Sequence, residues 1–541
     1  MKLLRRENPI RVFAGNHSGH HSLTRFGDRE GHTMESRLER KSFLPKGTFG
    51  FTVYTVLLIV LVSTLPTAAL DPASTQFILV VGGLAVWRYS WGLIHFTRSV
   101  IYHRYVFPKM RHDVDSRIDE LMPSHVYLLV TAFRIEAQTA GEVYAAAIRE
   151  AINCGVPATI VASIVEMSDE IMFKQIFEML DPPEHVRLQI VRIPGTGKRD
   201  GLAQGFRAIS RDMPAPDAVV AVIDGDSILG DGLIRKCSPF FKYMPNLGAL
   251  TTDEECNVKG SKIIREWHHL RFAQRQILMN SVALSKKVLT LTGRMSMFRA
   301  EIITDPDFID DVQNDSINHW RLGKFKFLTG DDKSSWYWVI KQGYDMAYIP
   351  DTVVMTVEHP PSPYFLRATT QLMFRWFGNM LRTNGRVVRL GPHRVGLFVW
   401  WCVVDQRISM WTSLAGPIFA IMLVIKHSVA FFPIYIAWIG FTRWIMTLML
   451  LTSRPVLSWY YPFLIYYNQI WGSAIKTFVF FRLDQQSWTR QKTKLQRGMS
   501  SWQARFVKFT SNYVYGVAMT VFVALVGFFS GVMEVPYWLF S

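Results

Sequence analysis

The sequence predicts an α/β domain of the nucleotide-binding kind inserted between N- and C-terminal transmembrane helices. Three observations lead there: long apolar stretches near both ends of the 541-residue chain, strand-like and helix-like runs alternating between them, and one strand ending in paired carboxylates. With 49% hydrophobic and 19% charged residues, part of the chain belongs in lipid.

Phe49 to Leu70, FGFTVYTVLLIVLVSTLPTAAL, carries no charge over 22 residues, enough to cross a hydrocarbon core of about 30 Å. Gln76 to Phe96 is a second candidate, interrupted by Arg88, and further apolar stretches occupy 395–425, 429–451, 460–481 and 512–533. The first 48 residues hold ten Lys and Arg against five acids and lack the apolar segment and cleavage site of a signal peptide. The positive-inside rule then expects a basic cytoplasmic segment at 1–48, two crossings at 49–100 and a cytosolic domain at 110–365. An interfacial amphipathic segment is expected at 366–394, membrane or interfacial helices at 395–481, a basic cytosolic loop at 482–510 and a last transmembrane helix at 511–535. A cytosolic loop there requires an even number of crossings before it, whereas three apolar stretches precede it. One of them is expected to lie in the interface or to divide in two.

Four scattered cysteines, without a CxxC pair or clustered histidines, indicate neither a zinc site nor a disulfide framework and fit a reducing compartment. In the middle domain the strand-like HVYLLVTAF, ATIVASIVE, VRLQIVRIP and DAVVAVIDGD alternate with helix-like segments such as GEVYAAAIREAINCG. That alternation predicts βαβ units and a parallel sheet, with ligands beyond the strands' C-terminal ends.

The stretch AVVAVIDGDSILGDG places Asp224 and Asp226 at such an end. Strand alternation would point both the same way, and the resulting oxygen-rich patch suits Mg²⁺ or Mn²⁺. A solvated Asp-rich turn is the alternative reading. In GTGKRDGLAQGFR, Lys198 and Arg199 precede a small-residue helix, and cations at a helix N-terminus suit a diphosphate. FLTGDDKSSWYW sets Asp331 and Asp332 at a helix start, where one could be only an acidic cap. QLMFRWFGNMLRTNGR is amphipathic, basic and aromatic, and alone could be an interfacial helix. Neither GxxxxGK[ST] nor a helix-opening GxGxxG is present, which counts against an ATPase and a dehydrogenase.

The ordered set DGDS, TGDD and Gln371, Arg375, Trp376, flanked by apolar spans, resembles the processive family 2 glycosyltransferases, which include cellulose, chitin and hyaluronan synthases. The resemblance covers roughly residues 50 to 535. LTGRMSMFRAEI, FLTGDDKSSWYW and RWFGNMLRTNGR are most similar to the bacterial alginate-polymerising mannuronan synthases. One departure is visible: three residues separate Gln371 from Arg375, where the family's motif has two.

The resemblance implies a GT-A-like cytosolic domain and inverting transfer from GDP-mannuronate onto a growing polymannuronate chain. It assigns a divalent cation, Mg²⁺ or Mn²⁺, to Asp226 with Asp224, neutralising the departing diphosphate. Lys198, Arg199, Asp224 and, by a looser match in TAFRIEAQ, Glu136 would line the donor site. Asp332 would be the base, with Asp331 capping the helix or orienting Lys333. Gln371, Arg375 and Trp376 would form the acceptor site at a channel mouth, Trp376 stacking on the acceptor sugar. Trp488 and Arg490 in SWTRQK are similar to gating loops.

Arg443 and Arg407 interrupt apolar stretches and would line the path of a polyanion, the alternatives being snorkelling or pairing with Asp405. The net charge of +17 is compatible with such a path, although positive-inside loops also account for it. An inner-membrane, multi-pass location follows, with partners implied by resemblance alone: the lipid bilayer, a cyclic-di-GMP-binding PilZ-type co-polymerase and periplasmic export or modification proteins. No complete RxxxR and DxSxxG module lies in this chain. A synthase of another polysaccharide, a nonprocessive lipid-carrier glycosyltransferase and a transporter with a cytosolic regulatory domain are the competing readings. Nucleic acid is not expected, since the basic N-terminus lacks a binding motif.

Overall fold

The computed structural model describes residues 45–65, 75–429, 431–488, 493–494 and 500–533. The β-branched runs of the middle domain form the strands β1 (Val126–Ala132), β2 (Ala158–Ile164), β3 (Val186–Arg192) and β4 (Val219–Asp224), which pair in parallel in the order β3-β2-β1-β4. β1, β2 and β4 are nearly continuous apolar runs, β2 being buried throughout, because the helices Ala137–Asn153 and Lys198–Arg211 pack on this part of the sheet, whereas the edge strand β3, VRLQIVR, is mostly half-exposed.

The short β5 (Ser227–Leu229), β6 (Leu247–Val258) and β7 (Met295–Arg299) follow, then a separate hairpin of β8 (Ser316–His319) and β9 (Gly323–Lys326), and finally β10 (Asp345–Glu358). The full sheet has eight strands in the order β3-β2-β1-β4-β7-β6-β10-β5. It is mixed rather than wholly parallel. β7 runs antiparallel to both β4 and β6, and β5 antiparallel to β10.

Among the described residues three helices are long and apolar enough to cross a membrane: Leu397–Lys426, Phe431–Thr452 and Ser501–Phe529. The helix Thr48–Ser63 has 16 residues, about 24 Å at ~1.5 Å per residue, and the end of the apolar stretch expected there lies outside the described residues. The helix Thr75–Ile101 continues unbroken through Arg88, which pairs with Asp405 of the helix Leu397–Lys426 at 2.5 Å. Asp405 is therefore not the partner of Arg443.

The third apolar stretch before residue 482 forms the helix Tyr461–Phe480, which carries Asn468, Gln469 and Lys476 and does not reach spanning composition. The last helix begins at Ser501, ahead of the expected 511, because Ser500 and Gln503 close a capping box. The expected 366–394 segment is the helix Phe365–Val395, broken at Gly391 (φ 76°) just before Pro392.

Candidate active site

Three chain segments converge at the C-terminal end of β4. Asp224 is the last strand residue, and Gly225 and Asp226 form the turn by which the chain leaves β4 for β5 at the far edge of the sheet. Strand alternation thus stops at Asp224, and Asp226 is placed by a turn instead of a pleat. Gly225 is needed there: a Cβ would stand 2.8 Å from the Thr131 carbonyl oxygen.

Lys198 opens the helix Lys198–Arg211 after Gly195 (φ 74°) and Gly197 (φ 139°). Asp331 opens the helix Asp331–Gln342 after the left-handed Gly330 (φ 84°). The two helix starts meet, Lys198 Nζ lying 2.6 Å from Asp224 Oδ1 and 2.9 Å from Asp331 Oδ2.

The charges at this meeting point are unequal. Burial raises the pKa of Asp224 to about 7; Lys198 opposes this while Asp226 and Asp331 add to it. Burial works against the Lys198 ammonium, yet Asp224 and Asp331 outweigh it and hold its pKa above the usual lysine range. Burial also pushes Asp331 up, but Lys198 and Arg199 prevail and keep it below the ordinary carboxylate range. Asp332 moves the other way. Burial and the neighbouring Asp331 raise it, against Lys333 and Lys198. The two adjacent carboxylates are thus pushed apart, Asp331 toward a permanent anion and Asp332 toward a group that holds a proton more readily.

Several expected residues stand elsewhere. Arg199, about 100° around the helix from Lys198, acts on Asp331 through its charge and pairs with neither Asp224 nor Asp331. Its guanidinium donates to Val312 O (2.5 Å), Thr329 O (3.1 Å) and Ser334 Oγ (3.1 Å), so it fastens the turn that carries the aspartates. Asp331 neither caps its helix nor orients Lys333: Gly330 is the cap residue, and Lys333 donates to Leu289 O at 2.7 Å. Glu136 is exposed and faces His359 Nε2 at 3.6 Å.

Gln371 and Arg375 are one helical turn apart in the helix Phe365–Val395. Trp376 of that helix stacks on Trp267, ring centres 5.8 Å apart, and carries the Arg271 guanidinium over its face at 3.7 Å. Arg443 is buried among Thr442 (2.7 Å), Tyr89 (3.4 Å) and Gln469. Arg407 lies over Phe480 at 5.1 Å. Trp488 belongs to a two-residue strand, Ser487–Trp488, opposite Thr493–Lys494, and Arg490 lies outside the described residues.

Sequence reasoning missed Gly293. A Cβ there would be 2.9 Å from Lys198 Nζ and 3.0 Å from Asp224 Oδ2, so any larger residue would press on the lysine–aspartate pair at the floor of the site. The only local signal was its place in LTGRMSMFRAEI. Also missed were the fasteners of the TGDD turn. Arg382 donates to Leu483 O at 3.0 Å and reaches Thr329 and Asn379, while Gln486 takes a hydrogen bond from Leu328 N and gives one to Lys326 O, each at 3.0 Å.

Residues 123–379, which include this cluster, match the model of the glycosyltransferases like family 2. The glycosyltransferase Alg8 of Pseudomonas syringae pv. tomato is 53% identical over 476 residues, 88% of this chain and 97% of the relative. The chain belongs to the family 2 glycosyltransferases. A second Alg8 glycosyltransferase, from Azotobacter vinelandii, is 51% identical to this glycosyltransferase over 478 residues, 88% of this chain and 96% of that relative. Among solved structures, the mannosyltransferase PcManGT of Pyrobaculum calidifontis, in complex with GDP-Man and Mn²⁺, is similar with a TM-score of 0.38 and 14% identity, covering 71% of this chain and 98% of that one.

Proposed function

We propose that this family 2 glycosyltransferase is a processive, inverting enzyme that polymerises mannuronate from GDP-mannuronate into β-1,4-mannuronan and passes the chain across the bacterial inner membrane. The observation that carries the reading is a physical continuity. The helix Phe365–Val395, with its basic and aromatic residues, packs at once on the base-bearing helix Asp331–Gln342 and on the helices Leu397–Lys426 and Tyr461–Phe480. Product formed at Asp332 would thus emerge beside the apolar helices rather than into water.

The acceptor hydroxyl attacks the anomeric carbon of the donor, the bond from that carbon to the diphosphate breaks, and the hydroxyl proton passes to Asp332. Configuration inverts and GDP leaves. Positioned proton transfer of this kind is worth about 10²- to 10⁴-fold. Lys198, fixed between Asp224 and Asp331, presents a cation toward the diphosphate, and Asp331 keeps that cation charged.

The donor set fits a divalent cation. Asp224 and Asp331 share one lysine and Asp226 adds its charge beside Asp224, leaving a surplus of negative charge, and Gly293 keeps space open beside Asp224. Asp224 and Asp226 would hold Mg²⁺ or Mn²⁺, which supplies charge neutralisation for the departing diphosphate when bound. Among the described residues no group of three or more His, Cys, Asp or Glu side chains could hold a metal, so the remaining ligands would be substrate oxygens and water. Arg407 and Arg443 would lie along the path of the polyanion. A PilZ-type subunit and periplasmic proteins are the partners this reading adds.

Membranes containing the full chain, incubated with GDP-mannuronate, UDP-glucose or UDP-N-acetylglucosamine and Mg²⁺, test the proposal against an Asp332→Asn control. High-molecular-weight uronate made only from GDP-mannuronate and only by the intact protein is expected. Polymer from a UDP-sugar instead would keep the processive chemistry and overturn the substrate.

A further inference from the structure

The helix Lys262–Ala283 places His268, Arg271 and Arg275 on one face. Two guanidiniums in this neighbourhood have carboxylate partners. Arg275 meets Glu254 at 3.2 Å, and Arg294 meets Glu254 at 3.0 Å and Glu358 at 2.7 Å. Arg271 forms no hydrogen bond or ion pair among the described residues. It lies over aromatic rings, 3.7 Å from the centre of Trp376 and 4.9 Å from that of Trp267, and of the nearby carboxylates Glu358 acts on it only through its charge. Burial and the charge of Arg294 depress its pKa to about 9, which leaves it charged at neutral pH. Stacking offsets part of the cost of desolvating a guanidinium, but its edge still presents donors that a planar carboxylate would satisfy two at a time.

A second observation points to the same place. His268 is 2% exposed, and its Nε2 is buried with no hydrogen-bond partner among the described residues. Its ring stands edge-on to both Trp267 and Trp376. Burial lowers its pKa to about 4, so the imidazole is neutral and offers one donor and one acceptor, as a sugar hydroxyl requires.

The position relative to the reaction is also defined. Arg271 is near enough to Arg294 to feel its charge, and Arg294 in turn feels Asp226. On the other side, Lys476 of the helix Tyr461–Phe480 feels Arg271 and lies over Phe377 at 4.7 Å. Arg271 is thus within electrostatic reach of Arg294 and of Lys476.

We propose that Arg271 determines acceptor specificity: it receives the carboxylate of a uronate residue near the growing end of the chain, with His268 Nε2 bonding a hydroxyl and Trp376 supplying the stacking surface. This inference rests on the uronate reading above and names the residue that reads the acceptor. A neutral polymer would leave the half-buried guanidinium without a carboxylate to bind its fork.

The test compares binding of mannuronate oligosaccharides with binding of the same oligosaccharides after their carboxyls are reduced to alcohols, using the full chain in lipid nanodiscs. Wild type is expected to bind the acidic oligomer about 10- to 100-fold more tightly, the worth of a charge-assisted hydrogen bond. In Arg271→Gln that ratio falls close to one, and in Arg271→Lys it is intermediate, because an ammonium keeps the charge and loses the fork. An unchanged ratio in Arg271→Gln overturns the proposal. If that variant does not fold, an unchanged ratio in Arg271→Lys does so. Equal binding of both oligomers by wild type overturns it as well. Donor use is measured separately: wild type that consumes GDP-mannuronate but binds both oligomers alike overturns the role of Arg271 alone, whereas failure to transfer mannuronate overturns the functional reading.

Discussion

Lys198 and Asp331, each the first residue of its own helix, meet at 2.9 Å, so a cation and an anion from chain segments more than 130 residues apart fix each other beside Asp224. Replacing Lys198 with Gln leaves Asp224, Asp226 and Asp331 to repel one another and removes the cation facing the diphosphate. GDP release is expected to slow by about 10²- to 10³-fold, the cost of losing one preorganised electrostatic group. Steady-state kinetics on GDP-mannuronate check this, and a rate within threefold of wild type would refute the role.

Asp332 must be ionised to accept a proton, and its pKa is raised. Activity is therefore present above that pKa and lost as pH falls through it, at a higher pH than an ordinary carboxylate would give. Lys333→Met removes a cation that lowers the Asp332 pKa and should move the acid limb of the kcat profile to still higher pH. A limb that stays in place would show that Asp332 is not the titrating base.

Gly293→Ala introduces a Cβ into the space beside Lys198 Nζ and Asp224 Oδ2. Displacing reacting groups by about 1 Å can cost on the order of 10²-fold, so a loss of at least tenfold is expected while circular dichroism stays native. Full activity would mean that both side chains shift without consequence.

Arg454, in the segment after the helix Phe431–Met449, donates to Asp253 Oδ2 at 2.6 Å, and Asp253 also accepts from Tyr348 and Gln276. Asp253 is 1% exposed in this pair. Arg454→Met should destabilise the protein by about 3–5 kcal/mol by leaving a buried carboxylate without its cation, and adding Asp253→Asn should recover part of that loss. Thermal unfolding in detergent compares the single and double variants; a double variant no better than Arg454→Met would refute the coupling.

Chelation with EDTA should abolish GDP release, with Mg²⁺ or Mn²⁺ restoring it. Asp226→Asn should raise the metal concentration needed for half-maximal rate. Undiminished turnover in EDTA would overturn the cation assignment.

The elements set by local chemistry were legible in the sequence. β1 to β4 follow from β-branched runs between turn signals, and Asp224, Lys198 and the TGDD pair stand out because each closes or opens an element. What was not legible depended on distant segments. Nothing near Gly293 in the chain announces that Lys198 will lie against it, and Arg271 looks like any charged residue of a mixed helix until Trp376 arrives from a hundred residues away. Arg199 was misread because its guanidinium is taken up by Val312 O, Thr329 O and Ser334 Oγ, partners more than a hundred residues away in the chain. Asp226 was placed on a pleat when the chain had already turned toward another edge of the sheet.

The two hydrogen bonds of Gln486 with Lys326 O and Leu328 N have a mechanical consequence. They splice the chain leaving the helix Tyr461–Phe480 onto the segment that delivers Thr329 to Asp332, with Arg382 bolting Leu483 to the same joint. If Asp332 is the base proposed above, a displacement of that helix end would carry it along over a lever only a few residues long, so the stroke of the helices and the pitch of that carboxylate would share one linkage.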